Sequence, residues 1–275
     1  MIISGAVPGI RGHLGLIGCT EKGMCTVAMK ARASGGHSSM PPINEEGIIS
    51  IMGKAVTRLE ANPFPAHFGR NSPLREMLEY CAWRMSPPLR LLCSNLWLFA
   101  PLLKSVLLRM SPGAAASIRT TTAVTMIEGG TKFNVLPYSV TAYVNHRIEA
   151  SESISSVISY DRKVIDDSRI EIRALDFCIP PAPKSATNTD AFHRIQRCVQ
   201  VIFDCPSVPT ILTGNTDTRH YWSLSSKIYR FSPIQMHISD ASMFHGVNER
   251  ISVEALAQTV DYYQALILLS CLEDV

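Results

Sequence analysis

The feature that most constrains the fold is the order of strand-like and helix-like periodicity between residues 25 and 177. Alternating apolar residues predict strands, and apolar residues three and four apart predict helices. In chain order the segments are strand 25–32, helix 44–61, strand 118–130, strand 139–148, helix 151–167 and strand 169–177. The order β-α-β-β-α-β is typical of a ferredoxin-like domain, a four-stranded antiparallel sheet with two helices on one face.

The segments on either side of this domain have a different pattern. They are strand 13–19, helix 188–204, strand 209–214, strand 227–231 and helix 252–271. Strands that alternate with helices indicate an α/β layer. We therefore expect an α/β catalytic domain, made of residues 1–23 and 178–275, into which an α+β ferredoxin-like domain, residues 24–177, is inserted. Three short strands are few for a sheet covered on both faces, so we expect the α/β domain to be N-terminally truncated.

An apolar insertion, about residues 70–112, interrupts the ferredoxin-like pattern. Its segment LRLLCSNLWLFAPLLKSVLLRM (89–110) is long enough for a membrane span, but Arg90, Lys104 and Arg109 interrupt it, as do Asn95 and Pro101. A helix-turn-helix is the better interpretation, and we expect no transmembrane segment. A surface that contacts lipid or an apolar substrate remains an alternative.

Charge and cysteine usage narrow the possible functions. The net charge is +3, and the charged residues form no long run, which gives no support for nucleic-acid binding. The eight cysteines include no C-x-x-C pair and suggest neither a zinc knuckle nor a disulfide framework, so most are expected in the core. The start MIISGAVPGIRG has no basic region before an apolar stretch, so we do not expect it to be a signal peptide, and the compartment stays unknown.

Polar residues concentrate in a few loops and strand ends. His37 lies in ASGGHSSMPP (33–42), Asn134 in GGTKFNVLP (129–137), Arg147 in the strand 139–148, and His245 in FHGVNERIS (244–252). The loop GNTDTRHYW (214–222) follows a predicted strand, at the sheet edge where α/β proteins bind ligands, and its candidates are Asn215, Thr216, Asp217 and Arg219. Each cluster alone also fits an ordinary turn, cap or exposed strand residue.

Motifs of other enzyme classes are missing from the sequence. There is no G-x-S-x-G, P-loop, H-E-x-x-H or G-x-G-x-x-G after a strand. A Cys–His pair is left open, but nothing distinguishes any one of the thiols.

Taken together, SGGHSSMPP, GGTKFNVLP with VNHRI, GNTDTRHY with YRFSPI, and HGVNERISVEAL resemble one family. It comprises the two-zinc amidohydrolases and peptidases that include carboxypeptidase S, Gly-X carboxypeptidase, carnosinase and aminoacylase. The branch of carboxypeptidase S and the N-fatty-acyl-amino acid synthase/hydrolase is the most similar. The resemblance implies an α/β catalytic domain with an inserted ferredoxin-like lid that dimerises.

The resemblance also implies roles for individual residues. His37 would reach into the partner subunit's active site and donate to the oxyanion of the tetrahedral intermediate. Asn134 and Arg147 would hold the carboxylate or carbonyl oxygen of the substrate. His245 would be a zinc ligand. The loop residues would lie on the substrate side without individual roles, namely Asn215, Thr216, Asp217 and Arg219.

Two zinc ions would serve the intact family site, held by H-x-D and D-E-E motifs that this sequence lacks. Glu45 and Glu46 begin a lid helix and do not replace them. We expect the C-terminal part of a zinc-dependent hydrolase that cleaves a peptide or N-acyl amino acid amide bond next to a free carboxylate, inactive by itself. It would act as a homodimer. The alternative is a non-catalytic interaction module that pairs with a full-length paralogue.

Overall fold

The computed structural model of the chain describes residues 1–5 and 7–272, so residues 6 and 273–275 of the expected α/β domain lie outside it. The strands of the described part are β1 (Ile2–Ser4), β2 (His13–Glu21), β3 (Gly23–Arg32), β4 (Gly36–His37), β5 (Thr121–Gly129), β6 (Val135–Leu136), β7 (Ser139–Ile148), β8 (Ile170–Ala174), β9 (Ser207–Leu212) and β10 (Gln235–His237). The helices are α1 (Ile48–Ala61), α2 (Pro73–Cys81), α3 (Pro87–Ser94), α4 (Leu96–Met110), α5 (Pro112–Ala116), α6 (Ile154–Ile165), α7 (Asp190–Phe203) and α8 (Val253–Leu272). Short 3₁₀ helices occupy Ala82–Arg84, Asp217–Tyr221 and Ile238–Met243.

The chain forms two compact units. Unit 1 contains Met1–Glu21, Phe68–Arg109 and Pro183–Val275, and unit 2 contains Lys22–His67 and Met110–Ala182. The expected domain boundaries differ from this division mainly at residues 68–109.

Unit 2 is the ferredoxin-like domain that the sequence predicts. Its antiparallel sheet has the order β5-β7-β3-β8. Every second residue of β3 and β7 is buried, and these side chains pack with those of α1 and α6 in one apolar core. Val27, Val144, Met52 and Val157 are fully buried in it. The other face of the sheet carries the alternate residues, which remain half-buried.

A polar pair lies inside this core. His146 and Asp161 are both fully buried, with His146 Nε2 3.1 Å from Asp161 Oδ2. The Thr122 hydroxyl lies 3.3 Å from Nδ1 of the same ring, and Phe64 packs edge-on against it at 5.6 Å between centroids. Because His146 points into the core, its neighbour Arg147 on β7 lies on the opposite face of the sheet.

Unit 1 is built on a smaller mixed sheet with the order β10-β1-β2-β9. The neighbours β1 and β10 are parallel, β1 and β2 antiparallel, and β2 and β9 parallel. Ile2, Val199 of α7 and Tyr262 of α8 form one buried cluster of this unit. The sequence did not predict β1 or β10, because strands of three residues are too short to display a period.

The strand predicted at 227–231 is wrong. Only Arg230 bridges to Gly18 of β2, through two backbone hydrogen bonds of 2.9 Å. The segment is held instead by hydrogen bonds to the Ser185 side chain. The backbone N–H of Ile228 donates to the Ser185 hydroxyl at 2.9 Å, and Ser185 Oγ donates to the Ile228 carbonyl at 2.8 Å.

The insertion was expected at about residues 70–112 of the ferredoxin-like domain. Residues 68–109 instead group with unit 1, because α2 packs against β9. The predicted helix-turn-helix is confirmed as α3 and α4, which are bent by 113° at Asn95. Within the described residues no single helix has the length and apolar content to cross a bilayer, although this bent pair does when its two helices are counted together.

The cysteines give a testable consequence of this packing. Burial raises the pKa of the Cys19 and Cys25 thiols to about 12 and that of Cys205 to about 11, whereas Cys271 is exposed. Since the thiolate is the reactive form, we expect a thiol reagent at pH 8 to label Cys271 quickly and the six buried thiols at least about 100-fold more slowly, with the half-buried Cys178 at an intermediate rate. The Cys271→Ser variant should lose the fast phase, and urea should expose all eight thiols. A fast phase that persists in C271S would contradict the burial.

Candidate active-site loops

The loops of two separate motifs meet in unit 2. Strand β4 pairs with β6, with Gly36 opposite Leu136 and His37 opposite Val135. The backbone N–H of Ser38 also donates to the Asn134 carbonyl at 3.1 Å. This two-stranded ribbon therefore brings the predicted site residues His37 and Asn134 side by side, and both are exposed.

The orientation of His37 follows from its hydrogen bonds. The backbone N–H of Ser39 donates to Nδ1 at 3.2 Å, and the Ser39 hydroxyl lies 2.7 Å from the same nitrogen. Nδ1 is thus an acceptor, so the neutral ring carries its proton on Nε2. A ring in this tautomer has one N–H that can donate outward from the ribbon.

Gly35 allows the chain to enter the ribbon. Its φ is +69°, a left-handed conformation in which other residues are strained, and a Cβ here would lie 3.1 Å from the Leu136 carbonyl oxygen. Glycine at position 35, two residues before His37, is therefore required by backbone geometry and by close packing.

Arg147 lies far from this ribbon. Ser139, at the start of β7, pairs with Arg32, and Arg147, near its end, pairs with Met24. At about 3.4 Å per residue, Arg147 and the ribbon end of β7 are roughly 27 Å apart. Within one copy of unit 2, His37 and Arg147 therefore do not contact one small substrate together.

In unit 1 the loop after β9 is anchored by a buried carboxylate, Glu21. Thr216 Oγ1 donates to both Glu21 oxygens at 3.1 Å, and Thr218 Oγ1 donates to Oε1. Arg230 donates to Oε1 from Nη2 at 3.0 Å and from Nε at 3.2 Å. Glu21 is 1% exposed, and a buried charge of this kind is stable only when paired and hydrogen-bonded. Glu21 therefore holds the beginning of the loop in place.

The other predicted residues of this loop follow the anchor. Thr216 caps the 3₁₀ helix Asp217–Tyr221, with its hydroxyl accepting from the Thr218 N–H at 3.3 Å. Asp217 is exposed, Asn215 and Arg219 are half-buried, and Arg219 Nε lies 3.1 Å from His220 Nε2. The Thr216 hydroxyl is thus committed to Glu21, whereas Asp217 is accessible to a ligand.

His245 occupies the loop before α8. It is exposed, and its φ of +58° is unusual for a residue other than glycine. Phe244, the residue before it, helps line a cavity of about 500 Å³ at the end of β10, together with Asp240, Glu249 and Arg250.

The residues present do not by themselves fit a zinc site. Among residues 1–5 and 7–272, no three His, Cys, Asp or Glu side chains are grouped closely enough to hold a metal ion. A catalytic zinc takes three protein ligands, and the predicted set in this chain is His245 alone.

The sequence interpretation missed Glu21 and Arg230. A signal was available, because Glu21 ends the buried run HLGLIGCTE of β2, where a carboxylate needs a partner. The partner could not be identified, since Arg230 is distant in sequence and lies in a segment predicted as a strand.

The chain matches the family model described as the peptidase dimerisation domain over residues 19–169, more than half of its length. It is 39% identical over 268 residues to the N-fatty-acyl-amino acid synthase/hydrolase PM20D1 of Xenopus tropicalis, and the matched region covers 97% of this chain and 51% of that protein. It is 38% identical over 261 residues to the probable carboxypeptidase S-like 2 of Dictyostelium discoideum, covering 94% and 49%. The chain thus spans about half the length of these curated relatives.

Solved structures show the same fold at low identity. Human carnosine dipeptidase 1 superposes with a TM-score of 0.58 at 11% identity, covering 93% of this chain and 56% of that one. The M20 family metallo-carboxypeptidase Sso-CP2 of Sulfolobus solfataricus gives 0.57 at 15% identity, covering 92% and 59%. The class defined in this way is a mixed α/β protein with the fold of metallopeptidases.

Within that class the dimerisation-domain match decides the family. The chain belongs to the M20 peptidase family. The resemblance inferred from the four sequence motifs is confirmed.

Proposed function

We propose that this chain supplies the dimerising lid and the substrate-side loops of an M20-type hydrolase. Its substrate would be a peptide or N-acyl amino acid, cleaved at the amide bond next to a free carboxylate. The observation that carries the proposal is the ribbon of β4 and β6, where Ser39 holds His37 in the tautomer that leaves Nε2–H as an exposed donor.

In this proposal His37 stabilises charge that develops during the reaction. Attack of water on the amide carbonyl places negative charge on its oxygen, and the Nε2–H would donate to that oxygen. Asn134, fixed beside His37, would bind the same end of the substrate. Arg147 suits the substrate carboxylate, because a guanidinium pairs with a carboxylate through two parallel hydrogen bonds.

The roughly 27 Å between Arg147 and the ribbon end of β7 supports a role for His37 in a second copy. If both residues act on one substrate, they must come from different subunits. The exposed edge strand β5 supports such an assembly, since its outer backbone groups and the exposed Met126 and Ile127 can pair with another chain. We propose a homodimer through unit 2.

Two zinc ions are the metal that this family implies, and His245 is the one ligand proposed here. When bound, the metal would activate the water and polarise the carbonyl. Because one imidazole does not hold a catalytic zinc, the 275-residue chain alone is proposed to be inactive and to be part of a truncated catalytic domain.

The test compares this chain with an extended chain, in which the unmatched part of the Xenopus relative is joined ahead of Met1. We expect the extended chain to bind zinc and to hydrolyse N-acyl amino acids or dipeptides, and the 275-residue chain to do neither. A folded extended chain that binds zinc but cleaves no substrate of either class would overturn the proposed reaction.

A second candidate function is a non-catalytic module that pairs with a full-length paralogue. The dimerisation-domain match over residues 19–169 favours it. Mixing the 275-residue chain with the extended chain should then give a mixed dimer of intermediate mass and a changed activity. If light scattering finds only the separate species, this candidate is rejected.

A further inference from the structure

The exposed side of α4 in unit 1 is apolar. Trp97 is 72% exposed, and Leu98 and Leu102 are each 56% exposed, whereas Leu96 and Leu107 on the opposite side are buried. Val106 continues the exposed row along the helix, and Leu91 of α3 adds a further exposed side chain. We refer to Leu91, Trp97, Leu98, Leu102 and Val106 as the α3–α4 patch. A cluster of this kind on the surface usually marks a binding surface.

The chain segment that carries the α3–α4 patch is basic. Residues 80–109 contain no Asp or Glu, although the chain as a whole has 23 acidic residues against 26 basic ones. The same stretch contains four basic residues, namely Arg84, Arg90, Lys104 and Arg109. Arg84 lies over the exposed Trp83 ring at 4.4 Å, and Arg90 and Arg109 are exposed. An apolar face on a segment that has four cations and no carboxylate is complementary to an anionic, partly apolar surface.

We propose that the α3–α4 patch docks this protein on anionic phospholipid bilayers, with α4 lying in the plane of the headgroups. Leucine and tryptophan side chains would enter the headgroup and acyl boundary, while the arginines pair with lipid phosphates and carboxylates. The 113° bend between α3 and α4 fits a helix pair on the surface. A second copy is a poorer occupant, because two such faces would bring cations together without anions to pair them.

The experiment is flotation of the 275-residue chain with vesicles, which separates lipid-bound protein from aggregates. We expect binding to phosphatidylcholine vesicles that contain about 30 mol% phosphatidylserine, at least about tenfold weaker binding to phosphatidylcholine alone, and loss as NaCl rises to about 0.5 M. Tryptophan emission should shift to shorter wavelength on binding, and Trp97→Phe should remove most of that shift. Absence of binding to the anionic vesicles would overturn the proposal.

Paired variants separate the two contributions. Leu98→Asp with Leu102→Asp should reduce binding at least about tenfold, and Arg90→Gln with Arg109→Gln roughly 5- to 30-fold. The control is Val201→Asp, which adds one negative charge at a 70% exposed apolar residue of α7 and should bind within about twofold of the original chain. Equal loss in V201D would overturn the proposal. The proposal would also be overturned if the L98D/L102D protein changed from dimer to monomer and still floated with vesicles. The α3–α4 patch would then be an interface between two copies of the chain.

Discussion

Replacing Glu21 by alanine is expected to destabilise unit 1 by about 3–5 kcal/mol, because it leaves the Arg230 guanidinium buried without its partner. The side chains of Arg230 and Glu21 are almost completely inaccessible, and two threonine hydroxyls lose their acceptor as well. The three tryptophans, Trp83, Trp97 and Trp222, all lie in unit 1. Urea unfolding followed by tryptophan fluorescence therefore measures the unit in which the change occurs.

Two further variants test whether the unpaired Arg230 charge causes the loss of stability. Glu21→Met combined with Arg230→Met should recover part of the lost stability, since no unpaired charge remains. Asp261→Ala, at an exposed carboxylate of α8 in the same unit, should change stability by less than about 0.5 kcal/mol. If E21A unfolds within about 1 kcal/mol of the original chain, Glu21 is not the anchor of the 216–218 loop.

The largest expected effect on activity is that of His37→Ala in the extended chain. We expect kcat to fall about 10²- to 10³-fold, as when an oxyanion donor is removed from other hydrolases. KM should change little, because the oxyanion forms only as the reaction proceeds. The measurement is steady-state hydrolysis of the best N-acyl amino acid found for the extended chain.

Controls distinguish catalysis from folding. His193→Ala, at an exposed histidine of α7, should keep kcat within about twofold, and circular dichroism should be the same for both variants. A folded H37A enzyme that keeps more than half of its kcat would remove the proposed role of His37. An extended chain that is inactive before any substitution would instead contradict the proposed function itself.

The sequence predicts the long periodic elements best. The strand 139–148 has the bounds of β7, since ten alternating residues leave one register possible. Helix ends are predicted less well. The helix expected from residue 44 begins at Ile48, because Gly47 has extended backbone geometry and acts as its N-cap. The helix expected from residue 151 begins at Ile154, where Ser153 and Ser156 form a capping box.

The site depends on contacts that leave no local signal. Nothing near His37 indicates that its strand pairs with Val135, almost a hundred residues later. The grouping of α2 with β9 likewise depends on tertiary packing, which periodicity does not encode. The residue types could be identified from the motifs, whereas their anchors, above all Glu21, required the fold.

The most direct measurement of whether His37 and His245 belong to one site across a dimer is complementation between subunits. Extended chains carrying His37→Ala and His245→Ala are each expected to be nearly inactive. Co-expressed in equal amounts, they should form mixed dimers in which one site has both histidines, and activity should return to about a quarter of the original level. If the two variants form mixed dimers and activity does not return, His37 does not act in the partner's site.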